Sequence, residues 1–341
     1  MKQRSFSDQE WNTFLRLLRA GLWERPAYLL HIPDEATSER LLEMGRNQAV
    51  LGLLLRSTTH LPKEQLPSST IRMKLLTESD EIERQNLQIN LVERETRAFF
   101  EKQGLHPIVQ KGSQAAKHYA MPLLRQCGDI DFYLPGESFR KACELIEDGD
   151  PAPDGSFVFR RKGVVVELHP HYFDLHLPDD QLPSVPSACA ELLLYSTHIL
   201  KHALGSGVGI KQLCDMARAL AGMEGSYDKQ ELENAFRKAG LLRWHRMLCS
   251  LLVEKLDLNP KYCLPGFKVC RYYALERIIR DGGNFGMSRP LRKKGLRARN
   301  PFVRKVTTAL SLVGRLPFSL RYAPKEAAAM FRELIRGNLS G

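Results

Sequence analysis

A chain of 341 residues, 43% hydrophobic and 26% charged, is long enough for two or three compact units and has the composition of an ordinary globular protein. It holds no apolar run near the roughly 18 residues of a spanning helix. Its first residues turn polar and acidic where a secretory signal would become apolar, so a cytoplasmic protein without a transmembrane segment is expected. The seven cysteines are scattered and odd in number, with no Cys-x-x-Cys pair, which argues against a disulfide framework or a structural zinc site. The net charge of +11 is concentrated late in the chain. Between Gly282 and Lys325 there is no acidic residue, while Arg289, Arg292, Lys293, Lys294, Arg297, Arg299, Arg304, Lys305, Arg315 and Arg321 all fall there. Such a stretch could meet nucleic acid, an anionic membrane surface or an acidic partner, or could be a solvated basic face.

Residues 1–103 read as a helical region. Trp11, Phe14, Leu15, Leu18 and Leu22 recur at three- and four-residue steps, the spacing of one helical face. Pro26 and Pro33 interrupt it, a second helix is predicted from Thr37 to about Leu55, and Pro62 to Ser69 marks a loop. A long helix then runs from about Ser69 to Lys102 with a Glu- and Arg-rich face.

The pattern changes at Gly104, and residues 104–180 read as a small mixed-sheet core. Pro107 to Gln110 is a strand candidate, Gln114 to Met121 a short helix closed by Pro122, and Asp129 to Leu134 a second strand. Glu137 to Glu147 is helical and Gly149 to Gly155 is a turn-rich loop. Two strands follow, Phe157 to Arg161 and Gly163 to His169, around a tight turn at Lys162-Gly163. Residues 181–280 return to helical spacing over Ala190–Leu204, Ile210–Ala221, Lys229–Ala239 and Leu241–Leu256, and residues 281–341 form a basic, helical C-terminal segment. The glycine-rich 205–209 link follows no strand and reads as a helix–helix turn. The fold class expected is α+β, a small mixed sheet flanked by helical regions.

Three features of the 104–180 segment carry chemistry. Lys111-Gly112-Ser113 lies between a strand and a helix, where a glycine lets backbone approach a phosphate and a serine hydroxyl can bond to it. In Asp129-Ile130-Asp131 the strand period puts both carboxylates on one face, and a divalent cation with oxygen ligands would relieve their repulsion. In Val164-Val165-Val166-Glu167-Leu168-His169 an acid stands inside an apolar strand, and burying it unpaired is costly. A metal site shared with the Asp129 strand would explain it; so would solvent or a nearby arginine.

The order Lys-Gly-Ser, short helix, then Arg125-x-x-Gly128-Asp129-Ile130-Asp131 resembles the nucleotidyltransferase superfamily of polymerase-beta type. The continuation Glu167-Leu168-His169, with His198 and Lys201-His202 on a later helix, is similar to the little-characterised bacterial branch of that superfamily, and Asp281 to Gly286 shares in the likeness. The resemblance implies that Gly112 and Ser113 hold a nucleoside triphosphate such as ATP and that Lys111 and Arg125 neutralise its phosphates. It implies that Asp129 and Asp131 bind two Mg2+ ions, or Mn2+ in their place. Glu167 would be the third acid, as ligand or general base, in a position where aspartate is more usual. The implied reaction moves a nucleoside monophosphate onto a hydroxyl acceptor that the residues do not name. Two other readings stay open at this point: a metal-dependent glycosyltransferase using Asp-x-Asp, and a non-catalytic nucleotide- or nucleic-acid-binding regulatory protein. His198 and His202 share a helical face without an evident third ligand, His169 and His171 read as a polar strand end that could also border the site, and Asp215 is left between facing the cleft and capping a neighbouring helix.

Overall fold

In the computed structural model, the described residues are 6–152, 154–173, 175, 181–205, 207–284 and 315–336. Helix α1 (Asp8–Trp23) begins at a capping box: the Ser7 hydroxyl accepts from the Glu10 amide, and the Glu10 carboxylate accepts from the Ser7 amide. The single helix expected from 37 to 55 is two, α2 (Glu35–Gln48) and α3 (Leu51–Thr58). Ala49 breaks them apart in the left-handed region at φ 56°, a conformation that costs a non-glycine residue about 1–2 kcal/mol. What holds it there is tertiary. The side chain of the adjacent Gln48 is buried, donating to the Ile279 carbonyl at 3.0 Å and accepting from the Ile210 amide at 2.8 Å. The close seat of α3 also needs a glycine, because a Cβ on Gly52 would lie 2.2 Å from the Leu124 carbonyl oxygen.

Helix α4 (Ser69–Glu101) is the longest described element. Its buried face, Ile71 through Phe100, crosses from the N-terminal helices onto the sheet. The sheet has order β1-β2-β5-β4-β3: β1 (Ile108–Val109), β2 (Asp129–Tyr133), β3 (Gly149–Pro151), β4 (Phe157–Arg161) and β5 (Val164–His169). β2 and β5 are parallel, and the other three pairings are antiparallel. Strand β3 lies where a loop was expected, since Asp150-Pro151 sits on the sheet edge, where proline's missing donor is tolerated. Two short helices separate the first strands from the next: α5 (Ser113–Ala116), shorter than the 114–121 expected, and α6 (Gly136–Glu144), with a 3-10 turn at Pro122–Leu124 between them.

Alternation along β5 is regular: Val164, Val166 and Leu168 are buried and Val165, Glu167 and His169 face the other way. The buried set packs with Ile130, Phe132, Leu134 and Phe159, and α4 adds Ile89, Val92 and Phe100 to this core. A larger core joins the N-terminal helices to α7 (Ala188–Leu204), α8 (Ile210–Gly222), α9 (Lys229–Lys238), α10 (Leu242–Leu256) and α11 (Tyr273–Gly282). Further on, α12 (Leu316–Tyr322) and α13 (Pro324–Arg336) are described. Residues 285–314, most of the acid-free stretch, lie outside the described residues, so the reading of that stretch as a basic binding surface is not addressed by them. Within the described part, Arg315 donates to the carbonyls of Ala203 (2.5 Å) and Gly205 (2.8 Å), where α7 ends. The α+β class expected from sequence is the class observed.

Candidate active site

The polar face of β2 and β5 forms one wall of a cleft of about 410 Å³, a volume in the range of small-molecule sites. Parallel pairing sets Asp129 against Val165, Asp131 against Glu167 and Tyr133 against His169. Alternation then turns Asp129, Asp131, Glu167 and His169 toward the same side, and all four line the cleft. Lys111, Gly112 and Arg125 line it as well. The opposite wall comes from α7 and α8, including Tyr195, His198, Lys201, His202, Lys211 and Asp215.

The charges are strongly unequal in environment. Asp131 is 7% exposed. Burial alone would raise its pKa, but Lys111 Nζ at 3.2 Å and His169 Nε2 at 2.9 Å, both on Oδ1, hold it below the ordinary carboxylate range. Asp129 moves the other way, raised by burial and then by the charge of Asp131. Glu167 is pushed up to about 7 by burial and by Asp131 and Asp129. Three carboxylates therefore share a space that Lys111 and His169 only partly neutralise. A donor set of this kind, hard oxygens carrying excess negative charge, fits a divalent cation. Among the described residues, one group of three potential ligands lies within 4.8 Å: Asp131, Glu167 and His169.

The approach to β2 is built by buried hydrogen bonds. Asn86 of α4 donates through Nδ2 to the carbonyls of Leu123 (2.6 Å) and Arg125 (2.9 Å), while its Oδ1 accepts from the Cys127 amide (3.2 Å). Arg125 sets both arms of its fork on Asp215, Nε to Oδ1 at 3.0 Å and Nη2 to Oδ2 at 2.5 Å, and Tyr119 donates to Asp215 Oδ1 at 2.7 Å. Both ends of this ion pair are nearly inaccessible, at 7% and 6%. Although burial would raise the Asp215 pKa, Arg125, Lys211 and Tyr119 hold it down. Lys211 donates to the Gln126 carbonyl at 3.2 Å, and burial, followed by the nearby Arg125 charge, lowers its own pKa.

The sequence-derived candidates thus meet in one cleft with three qualifications, the first being that Asp129 lies outside the close ligand group of Asp131, Glu167 and His169. The Ser113 hydroxyl donates to Glu93 of α4, and Ser113 is not among the residues lining the cleft. Arg125 reaches the cleft wall, but its hydrogen bonds go to Asp215, Gln126 and Cys127. Gly112 adopts φ +57°, the left-handed range that disfavours a side chain, and so turns the chain from β1 into α5 below Asp129. Reading the sequence alone put His169 on the Glu167 face but favoured a polar strand end, left Asp215 between facing the cleft and capping a helix, and missed Lys211, for which no local signal existed. His198 and His202 pack against each other, ring centroids 4.4 Å apart, on the facing helix rather than in the acid group.

No curated protein and no solved structure matches the chain. Residues 34–256, about two thirds of the chain, match the family described as uncharacterised nucleotidyltransferase. That span contains the cleft's acids, Lys111, Gly112 and the α7–α8 wall together. The chain belongs to this nucleotidyltransferase family and is a nucleotidyltransferase enzyme.

Proposed function

We propose that the enzyme transfers a nucleoside monophosphate from a nucleoside triphosphate such as ATP to a hydroxyl acceptor, releasing pyrophosphate, with Asp129, Asp131 and Glu167 as the acids that hold the metal. The observation that carries this reading is the parallel β2–β5 register, which sets Asp131 directly opposite Glu167 with Asp129 two residues away on the same face. Two Mg2+ ions, or Mn2+, when bound there would supply charge neutralisation for the attacking and leaving oxygens of an in-line displacement.

The chain's own groups divide the remaining work. Lys111 already touches Asp131, and its ammonium is placed to follow negative charge onto a phosphate oxygen when a cation takes over that carboxylate. Gly112 brings backbone close to the same spot, and we assign Ser113 a part in holding the α5 turn through Glu93. Arg125 acts through Asp215, fixing the Gln126-Cys127-Gly128 entry to β2 and with it the position of Asp129. His169 orients Asp131 by its 2.9 Å bond. Glu167, directly opposite Asp131, is placed either to hold the metal or to take the proton of the acceptor hydroxyl. Lys201 and Lys211 give the far wall positive charge suited to a triphosphate, with His198 and His202 beside them. We place the enzyme in the cytoplasm, a reading supported by seven cysteines that are all free; no helix among the described residues is long and apolar enough to cross a membrane.

The test is transfer of label from an α-phosphate-labelled nucleotide to cell extract in the presence of Mg2+. The expected result is a labelled product with the wild type and none with Asp129→Ala or Asp131→Ala of unchanged circular dichroism. Retained transfer in the double variant would overturn the assignment.

A further inference from the structure

Helix α4 spans 33 residues, about 50 Å at 1.5 Å per residue; its flanks are held by Arg46 on Glu78 and by the Lys162 turn on Gln88 and Glu95. Its inward side carries Ile71, Leu75, Ile82, Asn86, Ile89 and Phe100. On the opposite side four large apolar residues are exposed: Met73 (63%), Leu76 (50%), Leu87 (53%) and Leu91 (38%). Isolated exposed apolar residues are ordinary on a protein surface, but these four form a line. Met73 and Leu91 are separated by five whole turns of 3.6 residues, and Leu76 and Leu87 lie between them, both offset to one side by about 60° and about 40°. The middle of the line is charged, with Asp80 and Arg84 paired at 3.1 Å and both well exposed.

The line reads the same in both directions with its charges reversed. A two-fold axis at the axial level of Ile82, on the helix face opposite that buried side chain, sets Met73 against Leu91 of a second copy, Leu76 against Leu87, and Asp80 against Arg84. Apolar therefore meets apolar at four contacts, and opposite charges meet at two. Self-complementarity of one patch under a two-fold operation is the requirement for an isologous dimer, and a line of this length matches antiparallel packing of two helices. We infer that the enzyme forms a homodimer through antiparallel pairing of the exposed face of α4 with that of a second copy, centred midway between Asp80 and Arg84. The apolar pairs supply the attraction and the Asp80–Arg84 contacts fix direction and register.

The test is sedimentation equilibrium of the full chain over a micromolar concentration series, for the wild type, Asp80→Arg, Arg84→Asp and a mixture of the two variants. All four positions of the line and both charges are on the surface, and circular dichroism checks that the variants fold. The wild type is expected to approach twice 38.9 kDa. Each single variant puts like charges together at both symmetric contacts and should weaken the dimer roughly tenfold. Mixing Asp80→Arg with Arg84→Asp restores opposite charges at both contacts, so the mixed dimer should recover wild-type affinity. A wild type that stays at 38.9 kDa overturns the inference. So does a dimer indifferent to either charge reversal, or a mixture that fails to recover, since another surface or another register would then be responsible.

Discussion

Arg125 can serve the enzyme in two ways, and its surroundings decide between them in a manner that can be measured. The resemblance to other nucleotidyltransferases implies a phosphate contact, whereas its hydrogen bonds tie it to a buried Asp215 that also accepts from Tyr119. Replacing Asp215 by Leu leaves the guanidinium at 7% side-chain exposure without its counter-charge. Breaking one side of such a pair typically costs about 3–5 kcal/mol, because a buried charge is left uncompensated. Arg125→Met should cost a similar amount, leaving the carboxylate stranded instead. The double replacement Arg125→Met/Asp215→Leu removes both charges and should recover much of the loss, so that a double-mutant cycle gives a coupling of roughly 3 kcal/mol. Equilibrium urea unfolding of the four proteins measures this directly, and the transfer assay measures the consequence for β2. The reasoning is refuted if Arg125→Met keeps wild-type stability and only raises KM for the nucleotide. That outcome would make Arg125 a phosphate ligand and Asp215 a bystander.

Other perturbations follow from the same geometry. Gly112→Ala forces a side chain into φ +57° and should destabilise by about 1–3 kcal/mol while raising KM for the nucleotide, read from unfolding and from steady-state transfer. Asn86→Leu strands the three backbone groups it satisfies and should cost several kcal/mol at about 1–3 each, with transfer lost alongside stability because Cys127 sits at the entry to β2. Buried His245 stacks on Phe236 and has its pKa pushed down to about 3, from 6.5, by burial and then by Arg246. The unfolded chain takes up that proton first, so stability is intact above pH 6.5 and falls as pH drops from 6.5 toward 3; near pH 5 the loss is about 2 kcal/mol. His245→Phe should remove that increment, and equal pH dependence in both proteins between neutral pH and 5 would count against the buried neutral imidazole.

Much of the candidate catalytic face was legible without coordinates because strand parity is local. Alternation alone puts Asp129 with Asp131 and Glu167 with His169, and the order Lys111-Gly112-Ser113, short helix, Arg125 and Gly128 before the acids carries the family resemblance. The helices with strong periodicity, α1, α4 and α7 to α10, were legible for the same reason. What fails locally fails for a stated cause. The break at Ala49 comes from Gln48 being drawn to Ile210 and Ile279, more than 160 residues away, a pull no window of neighbouring sequence contains. Strand β3 exists because β4 offers it an edge.

The sequence by itself determined which residues can share a face, since that depends only on the pitch of a strand or a helix. It gave no means of knowing that β5 would lie parallel to β2 in the register that sets Glu167 against Asp131, because pairing joins segments more than thirty residues apart through a shared core. Nor could it turn Ser113 toward Glu93 or Arg125 toward Asp215, since a buried donor takes whichever acceptor packing brings within reach. The cleft's chemistry is thus written along the chain, while the side chains that hold it in place were chosen by tertiary contacts.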